Sequence, residues 1–377
     1  LTAGKPFNNP RWRVRDNLPG TPDYCPMVSR TAMVQEAEQY DCAQSLQQLE
    51  SDFGTDLLMR SAVWLTIKES RASFAIEHEE KHVDRIERFA AVMERRCGVY
   101  DSPLLEASLT ELQADILGER ATRYGVRRSP VFVGESHGFT TVVHYVAPHW
   151  DDAPAMLAGL REFDARTLGR SSLVRSAAIS FGFVYIHPMA DGNGRISRFL
   201  VNDVLRRDGT VPAPFILPIS ATITASARTR RSYDQVLETF SRPLMQCYRE
   251  AYRFGGRRMG EDGVEYDFEF DAYDDARAAW SYPDLTAHVE YLGEVVRLTI
   301  EHEMRGEALQ LRAARTAREG VKNLLEGPDT DIDRIVRGIR QNGGTVSGKL
   351  RKEFPALEDD ELAGSIAAVI TRAFDDA

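Results

Sequence analysis

The chain has 377 residues, of which 43% are hydrophobic and 28% are charged, so it can bury a large core without support from metals or disulfides. This composition excludes a disordered protein, a fibrous protein and a single small module. Acidic residues exceed basic residues by 57 to 47 and give a formal charge of −10, which opposes general affinity for nucleic acid or anionic membranes.

The four cysteines are scattered, and no C-x-x-C pair occurs. This spacing predicts neither a zinc knuckle nor a disulfide framework, and it fits a reducing compartment. The longest nearly apolar stretch, residues 177–186, is far shorter than the ~20 residues of a membrane helix, and no signal-peptide pattern opens the chain. We therefore expect a cytoplasmic protein that does not bind membranes.

Two regions are predicted at the start of the chain. Residues 1–56 contain several prolines and glycines, so we expect an irregular arm in which a helix starts near Thr31. Residues 57–100 are expected to be helical. An apolar stripe beside charged residues predicts one long helix over residues 57–97, with one face in water.

A compact core is predicted over residues 101–255. A helix is expected over residues 108–124, and residues 131–145 have the pattern of two short strands around a glycine-containing turn. Apolar residues then recur at helical spacing over residues 171–185. They predict the central helix of the core.

The last third of the chain predicts a linker and a helical domain. Glycines before residue 264 indicate a linker over residues 256–283, which contains one strand, residues 264–270, with alternating apolar and acidic side chains. Residues 284–377 predict a C-terminal helical domain, in which Asn342-Gly343-Gly344 ends one helix and two short helices follow. The helix that follows Asn342-Gly343-Gly344 is basic, and acidic residues come directly after it. We therefore expect packing or oligomer contacts from this domain rather than DNA binding.

The stretch from His187 to Arg198, H-P-M-A-D-G-N-G-R-I-S-R, gathers several kinds of reactive side chain. Pro188 cannot continue a helix, so the core helix should end at His187 and leave that side chain at an exposed corner. Histidine is a base whose ordinary pKa lies near neutrality. The corner is therefore a candidate position for acid–base chemistry.

The residues after this corner suit phosphate binding. Gly192 and Gly194 alternate with polar residues, which is typical of a tight loop with converging amides, and a polar helix is expected near Arg195. Arg195 and Arg198 lie on one helical face, where both can reach one phosphate chain, and Asp191 offers an oxygen ligand suited to Mg²⁺. The set predicts phosphoryl or nucleotidyl transfer. For any single member, a capping aspartate or a solvated arginine is the alternative.

The same stretch resembles the Fic signature, H-P-F-x-[DE]-G-N-G-R-x-x-R, at every specified position except Met189, where the family usually has phenylalanine. The order of elements over residues 57–253 is also similar to that family. The resemblance implies a mainly α fold, a Fic-type helical bundle with a β-hairpin flap, here followed by the C-terminal helical domain. It further implies a magnesium-dependent enzyme that transfers AMP from ATP to a hydroxyl of a target protein.

Carried over by position, the resemblance implies a role for each residue of the signature. His187 would be the catalytic base for the target hydroxyl, and Asp191 would bind Mg²⁺. Tyr233 would contact the adenine, although an ordinary half-buried helix tyrosine explains it equally well. The nucleotide phosphates would be held by the loop and the start of the next helix: Gly192, Asn193, Gly194, Arg195 and Arg198.

Residues Ser73 to His78 resemble the family's inhibitory motif, [ST]-x-x-x-E-[GN]. Ser73 and Glu77 match this motif, whereas His78 stands where the family usually has glycine or asparagine. The resemblance implies that Glu77 pairs with Arg198 and restrains the enzyme.

The same region also satisfies H-E-x-x-H, from His78 to His82, the zinc metalloprotease pattern with two histidines one helical turn apart. Two charged residues, Glu80 and Lys81, separate the glutamate from the second histidine, and no clean third ligand follows. Surface helix residues are therefore the better interpretation.

Other activities and partners stay open at this point. A phosphotransferring branch of the family typically carries lysine where this chain has Gly194, so AMP transfer is favoured, while removal of AMP and a non-catalytic regulatory binding protein are the alternatives. The 131–145 hairpin resembles the flap that aligns a target segment by strand addition, so an unknown target protein is the expected partner. Self-modification and homo-oligomers stay open, and nucleic acid is not expected.

Overall fold

The computed structural model describes residues 2, 5–79, 81–118, 123, 125–137 and 140–376. Helices dominate these residues, and three antiparallel two-stranded sheets accompany them, which confirms the mainly α prediction. None of the helices in these ranges is long and apolar enough to cross a membrane.

The elements of the first half of the chain, up to the centre of the core, are as follows. They are β1 (Phe7–Asn9), β2 (Val14–Asp16), α1 (Ala32–Gln39), α2 (Cys42–Phe53), α3 (Thr55–Ile76), α4 (Val83–Arg96), α5 (Glu106–Leu117), β3 (Phe132–His137), β4 (Thr140–Val146), α6 (Ala153–Arg166) and α7 (Ser172–Ile186).

The second half continues with α8 (Asn193–Arg207), α9 (Ile219–Thr224), α10 (Ala227–Cys247), β5 (Tyr252–Met259), β6 (Glu265–Phe270), α11 (Tyr273–Ser281), α12 (Thr286–Leu298), α13 (Arg305–Lys322), α14 (Asp329–Gln341), α15 (Gly348–Glu353) and α16 (Asp360–Asp375). A π-helix, Thr299–Met304, lies between α12 and α13, and a 3₁₀-helix, Pro355–Glu358, precedes α16.

The described residues form two compact units. One contains the chain up to Leu46 together with Trp64–Glu301, and the other contains Gln47–Val63 and the chain from His302 onward. The five predicted segments stay a prediction, although α1 and α2 lie within the predicted arm. The helix α12, which was assigned to the C-terminal domain, packs on α7 in the first unit.

The helix α7 is the centre of the first unit and carries the predicted apolar pattern. It begins where the Ser171 hydroxyl accepts a hydrogen bond from the Val174 amide, and it ends at Ile186, one residue before His187. Almost all of its side chains are buried, and α6, α8 and α12 pack around it. Burying one large apolar side chain stabilises a fold by roughly 1.5–3 kcal/mol. Since α7 buries many such side chains, the helix and its C-terminal end are held firmly in the core.

The helix α8 differs from the polar helix that we predicted. It begins at Asn193, two residues earlier than expected, and its residues are buried almost throughout. The apolar residues Ile196, Phe199 and Leu200 are fully buried, and α8 packs closely on α7. In the sequence, the charged residues of the signature lie among these apolar residues, and for this reason the helix was predicted to be polar.

Residues 57–97 form two helices rather than the single helix predicted. The helix α3 ends at Ile76, and α4 begins at Val83. His78 has a left-handed backbone with a φ of 59°. The amide of Glu79 donates to the Phe74 carbonyl and that of His78 to the Ala75 carbonyl, which is the Schellman arrangement that ends helices at a left-handed residue.

The predicted linker contains a second hairpin. The strand β6 lies within the predicted strand 264–270, but its partner β5 runs across Gly255 and Gly256, which we had interpreted as linker residues. The two strands pair from Tyr252–Phe270 to Met259–Glu265, with an irregularity between Phe254 and Arg258. The glycines lie at this irregularity, where bulged backbone favours them.

The second unit has its own apolar core, formed by α13 to α16. Ile332, Ile335, Val336 and Ile339 of α14 point into it, and α14 ends immediately before Asn342-Gly343-Gly344, as predicted. The last helix, α16, has 16 residues and is longer than the short helix that we expected.

Candidate active site

His187 lies at the C-terminal end of α7 in a left-handed conformation, with a φ of 48°. Its amide still donates to the Phe183 carbonyl at 2.9 Å, so the residue completes the helix before Pro188 redirects the chain. We predicted an exposed corner, but the structure shows a half-buried side chain, because neighbouring segments close over this end of α7.

The surroundings of His187 favour a neutral ring that can accept a proton. The Nδ1 atom lies 3.2 Å from the Val184 carbonyl oxygen, which can only accept, so Nδ1 carries the hydrogen and Nε2 keeps its lone pair. Burial, followed by the positive charge of Arg127, lowers the pKa of His187 to about 4, and Glu77 opposes this shift. At neutral pH the imidazole is therefore uncharged, as a general base must be.

The loop after His187 is held together by Asn193. The Asn193 side-chain amide donates to the Met189 carbonyl at 2.8 Å, and its oxygen accepts from the Met189 amide at 2.9 Å. We had placed this side chain on the phosphates, but both of its polar atoms are committed to the loop. Its function in the structure is to fix the turn before α8.

The N-terminus of α8 presents backbone amides of the kind that bind anions. Gly192, with a φ of 81°, occupies the cap position, and no side chain caps the helix within the described part of the chain. The first amides of a helix lack partners inside the helix and attract negative charge. The predicted loop amides thus lie at a helix start that can bind phosphate.

Asp191 lies at the rim of this helix start, and its side chain is 53% exposed. Its Oδ1 atom accepts from the Gly192 amide at 2.6 Å and lies 3.3 Å from Nη2 of Arg195. No contact to Oδ2 occurs among the residues that the structure describes. The predicted metal-binding carboxylate therefore presents an oxygen to solvent beside the anion site.

Arg195 and Arg198 converge on the carboxylate of Glu77. Nη2 of Arg198 donates to Oε1 of Glu77 at 2.5 Å, and Nε of Arg195 lies 2.9 Å from Oε2. The two guanidinium side chains are only 4% and 5% exposed. A negatively charged group therefore already occupies the two arginines that we predicted to bind phosphate.

Ser73 and Phe74 hold the arginines from the same helix. The Ser73 hydroxyl accepts from Nε of Arg198 at 2.6 Å, and its carbonyl accepts from Nη2 at 3.1 Å. The guanidinium carbon of Arg195 lies 5.1 Å from the centre of the Phe74 ring, within the range of a cation–π contact. The predicted Ser73–Glu77 motif thus lies directly against the signature.

Glu69 extends this contact by one turn of α3. Its carboxylate is fully buried and accepts from the Ser220 amide at 2.7 Å and from the Ser220 hydroxyl at 2.6 Å. Burial raises the pKa of Glu69 to about 7, although the bonds from Ser220 and the charge of Arg198 oppose the shift. Sequence reasoning missed this residue, because an isolated glutamate inside a helix gives no signal.

Tyr233 lies on α10 beside the arginine cluster. It is 8% exposed, and Arg198, Arg230 and Glu77 are its charged neighbours, although burial is the main reason that its pKa is raised. The Arg230 guanidinium carbon lies 5.7 Å from its ring centre. The structure therefore brings Tyr233 to the site, and its contact with adenine stays a prediction.

Two further residues of the site lie far from the signature in sequence. Arg127 donates to the His187 carbonyl at 2.7 Å, and Gln113 donates to the Asp191 carbonyl at 2.8 Å. Gln113 also accepts from the Gly125 amide at 2.6 Å. Both side chains are buried. No local pattern marks them, since their partners are 60 and 78 residues away.

The zinc metalloprotease interpretation of His78 and His82 is wrong. That motif requires both histidines on one helix, one turn apart, but α3 ends at Ile76 and α4 begins at Val83. Glu80 lies outside the described residues. Within the described ranges, no three histidine, cysteine, aspartate or glutamate side chains are arranged to hold a metal.

The predicted hairpin is present as β3 and β4, which pair from Phe132–Val146 to His137–Thr140 with an irregularity between Val133 and Gly134. Residues 138 and 139 lie outside the described residues. In the described part of the chain, β3 and β4 pair only with each other. Val133 and Val142 expose apolar side chains, at 46% and 43%.

Comparison with known proteins finds similarity over the part of the chain that carries this site. Residues 103–205 match the Fic/DOC family. Over 95 residues the chain is 34% identical to the protein adenylyltransferase fic-1 of Caenorhabditis briggsae, a stretch that covers 25% of this chain and 17% of that relative. The chain therefore matches less than a fifth of the relative's length.

Two solved structures are similar over most of the chain. A Fic family protein from Desulfovibrio desulfuricans is 20% identical, with 89% of this chain and 90% of that chain covered and a TM-score of 0.48. A Fic domain containing signaling protein from Bacteroides thetaiotaomicron is 17% identical, with 73% and 97% covered and a TM-score of 0.47.

The matched residues 103–205 include α7, the whole signature and most of α8. The signature residues occupy the end of α7, the loop that Asn193 fixes and the start of α8. Residues 103–205 of this chain are thus a Fic domain.

Proposed function

We propose that the protein is a protein adenylyltransferase, which moves AMP from ATP to a hydroxyl side chain of a target protein, and that Glu77 restrains it. The observation that carries the proposal is the position of the Glu77 carboxylate, which lies on both Arg195 and Arg198 beside the start of α8. An anion is thus held where phosphates would be held.

The proposed reaction uses His187 as the base. Its Nε2 lone pair takes the proton of the target hydroxyl while the hydroxyl oxygen attacks the α-phosphorus of ATP. The new oxygen–phosphorus bond forms as the bond from the α-phosphorus to the bridging oxygen of the β-phosphate breaks, and pyrophosphate leaves. A positioned base contributes roughly 10²–10⁴-fold to such a step.

The residues at the site fit a magnesium ion that is bound together with ATP. Mg²⁺ is usually held by one or two carboxylates plus substrate phosphates, and Asp191 supplies one partly exposed carboxylate next to the helix start. The ion would neutralise phosphate charge, and Asp191 would be its ligand from this chain. The target segment would lie along the β3–β4 hairpin, whose outer edges have no strand partner among the described residues.

Glu77 restrains this reaction by occupying the phosphate clamps. As long as its carboxylate pairs with Arg198, the triphosphate cannot use that guanidinium and meets a negative charge instead. A nucleotide placed without this clamp has its α-phosphorus out of line for attack. Since small errors in geometry reduce rate strongly, the enzyme is slow until Glu77 withdraws.

The test compares AMP incorporation by the parent, by Glu77→Gly and by Glu79→Gly, with labelled ATP and a cell lysate. Glu77→Gly should label protein far more strongly than the parent. Glu79→Gly is the matched control, because Glu79 contacts Arg195 at 3.3 Å and makes no contact with Arg198 among the described residues. Arg198→Ala should remove labelling even in the Glu77→Gly background, since it deletes the clamp.

The same proteins decide between the alternatives. Equal labelling by parent and Glu77→Gly would show that Glu77 is no restraint, and no labelling by any variant would reject AMP transfer. Loss of AMP from a target that was labelled beforehand, seen with the parent and not with His187→Ala, would assign the reverse reaction instead.

A further inference from the structure

Arg127 is a buried cation with an unusual set of partners. It is 1% exposed, and no carboxylate pairs with it among the residues that the structure describes. Its guanidinium instead donates to four backbone carbonyls, those of His187 at 2.7 Å, Pro148 at 2.6 Å, Ser129 at 3.2 Å and Ile186 at 3.4 Å. Burying an unpaired charge is costly, so this arrangement calls for a function.

We infer that Arg127 is a positioning residue for the His187 base, which it holds in the left-handed turn at the end of α7. This inference rests on the proposed function. His187 needs external support because a left-handed backbone costs an L-residue roughly 1–2 kcal/mol. The guanidinium provides it by fixing the carbonyl of His187 itself and that of the preceding residue.

The backbone around Arg127 reinforces the same turn. The Arg127 amide donates to the Pro188 carbonyl at 2.9 Å, and the Ala190 amide donates to the Gly125 carbonyl at 3.0 Å. Val126 and Met189 thus form an isolated antiparallel bridge, which ties residues 125–127 to the chain that follows His187. A displacement of Arg127 would therefore move His187 and the first residues of the signature loop together.

The second hairpin holds this segment from the other side. Asp262, in the turn between β5 and β6, accepts from the Arg128 amide at 2.7 Å and from the Ser129 hydroxyl at 2.9 Å. The rings of Phe132 and Phe268 lie 4.7 Å apart, which joins the two hairpins. Residues well beyond the family match therefore contribute to the position of the base.

Arg127 also acts on His187 through its charge. The charged groups that face the imidazole are Arg127 and Glu77, and they act in opposite directions, since Arg127 lowers the pKa of His187 and Glu77 raises it. Removing the guanidinium should raise the pKa of His187. The transfer rate falls at low pH because the base becomes protonated. Without the guanidinium, this fall should begin at a higher pH.

The experiment uses the full chain with Glu77→Gly as reference and adds Arg127→Lys, Arg127→Met or Arg175→Lys. Arg175 is the matched control, because it is equally buried on α7 but pairs with Asp164 and Asp208, away from His187. Two quantities are measured for each folded variant. They are kcat and KM for ATP in AMP transfer, and the pH at which the His187 ring titrates by NMR.

Arg127→Lys should lower kcat by roughly 10²-fold, because one ammonium cannot hold four carbonyls and misplaced groups lose about that much rate, while KM for ATP stays close to the reference. Arg127→Met should show the same loss and a higher titration pH for His187. Arg175→Lys should change neither His187 titration nor kcat, although it lowers the melting temperature.

An unchanged kcat in Arg127→Lys would overturn the inference, as would an unchanged His187 titration in folded Arg127→Met. If Arg127→Met does not fold, the comparison of kcat between Arg127→Lys and Arg175→Lys tests the inference, and equal values of kcat would overturn it. The ring titration needs no AMP transfer, so it gives its answer even if the proposed activity is absent.

Discussion

Gly194 lies so close to Glu77 that a β-carbon at position 194 would come within 2.4 Å of the Glu77 Oε1 atom. The glycine is needed here because a carboxylate from another helix approaches the backbone directly. This contact links the signature loop to the end of α3 without any hydrogen bond between the two residues.

Gly194→Ala should therefore push Glu77 away from Arg198 and lower the free energy of unfolding by roughly 1–3 kcal/mol, the usual cost of overpacking. In the Glu77→Gly background the same change should cost much less, because the opposing oxygen is gone. Urea unfolding of the four proteins gives the coupling energy. Gly364→Ala is a suitable control, since position 364 has open space, and equal costs in both backgrounds would contradict the prediction.

His187→Ala should leave ATP binding nearly intact and reduce AMP transfer by roughly 10²–10⁴-fold, the usual contribution of a positioned base. Asp191→Ala should weaken both binding of Mg²⁺–ATP and turnover, because it removes a metal ligand rather than the base. Calorimetry with Mg²⁺–ATP and single-turnover labelling separate the two effects. Transfer by His187→Ala at the reference rate would show that another group takes the proton.

Glu69 should make stability depend on pH. Its pKa is raised in the folded protein from 4.5 to about 7, so between these values the folded state binds the proton more strongly than the unfolded chain. The free energy of unfolding should therefore fall as pH rises through this window, by about 3 kcal/mol at most, and stay level above it.

Glu69→Gln should flatten this slope and still fold, because the amide can accept from the Ser220 N–H and donate to the Ser220 hydroxyl oxygen. Urea unfolding at several values between pH 5 and pH 8 measures both proteins. The same slope in parent and variant would assign the pH dependence to other groups. Replacement of Ser220 by alanine offers an independent check, since it removes a bond that favours the charged carboxylate.

His78→Gly should stabilise the protein by roughly 1 kcal/mol, because glycine adopts the left-handed conformation without the strain that a side chain adds. It should also lower AMP transfer by the parent, since a firmer helix end holds Glu77 on the arginines. His78→Ala is the matched control, because alanine keeps the strain. A melting temperature that rises equally in both variants would trace the effect to loss of the imidazole.

The features that could be predicted from the sequence are those encoded within a short stretch. Pro188 marks the end of α7, Asn342-Gly343-Gly344 marks the end of α14, and the twelve residues of the signature indicate the Fic domain. Each of these signals depends on the chain's own neighbours. The structure keeps these local features because no contact with a distant residue changes them.

The remaining features depend on contacts between distant residues. Arg127 and Gln113 reach the loop only when the fold brings them there. Asn193 uses both its side-chain oxygen and its side-chain nitrogen inside the turn, which a list of residue types does not reveal. The break after Ile76 has no glycine or proline to mark it, so the left-handed histidine at position 78 could be found only in the structure.

The location of Glu77 at the very end of α3 determines what a change of state requires. Glu77 is the first residue beyond Ile76, and helix ends fray far more readily than helix interiors or whole domains unfold. Unwinding one turn carries the carboxylate off Arg198, while Glu69 keeps the rest of α3 on Ser220. Release can therefore occur as a local unfolding event, a class of motion that takes microseconds to seconds. Under the proposed function, a partner that binds this segment in its unwound form would release AMP transfer without rearranging the core.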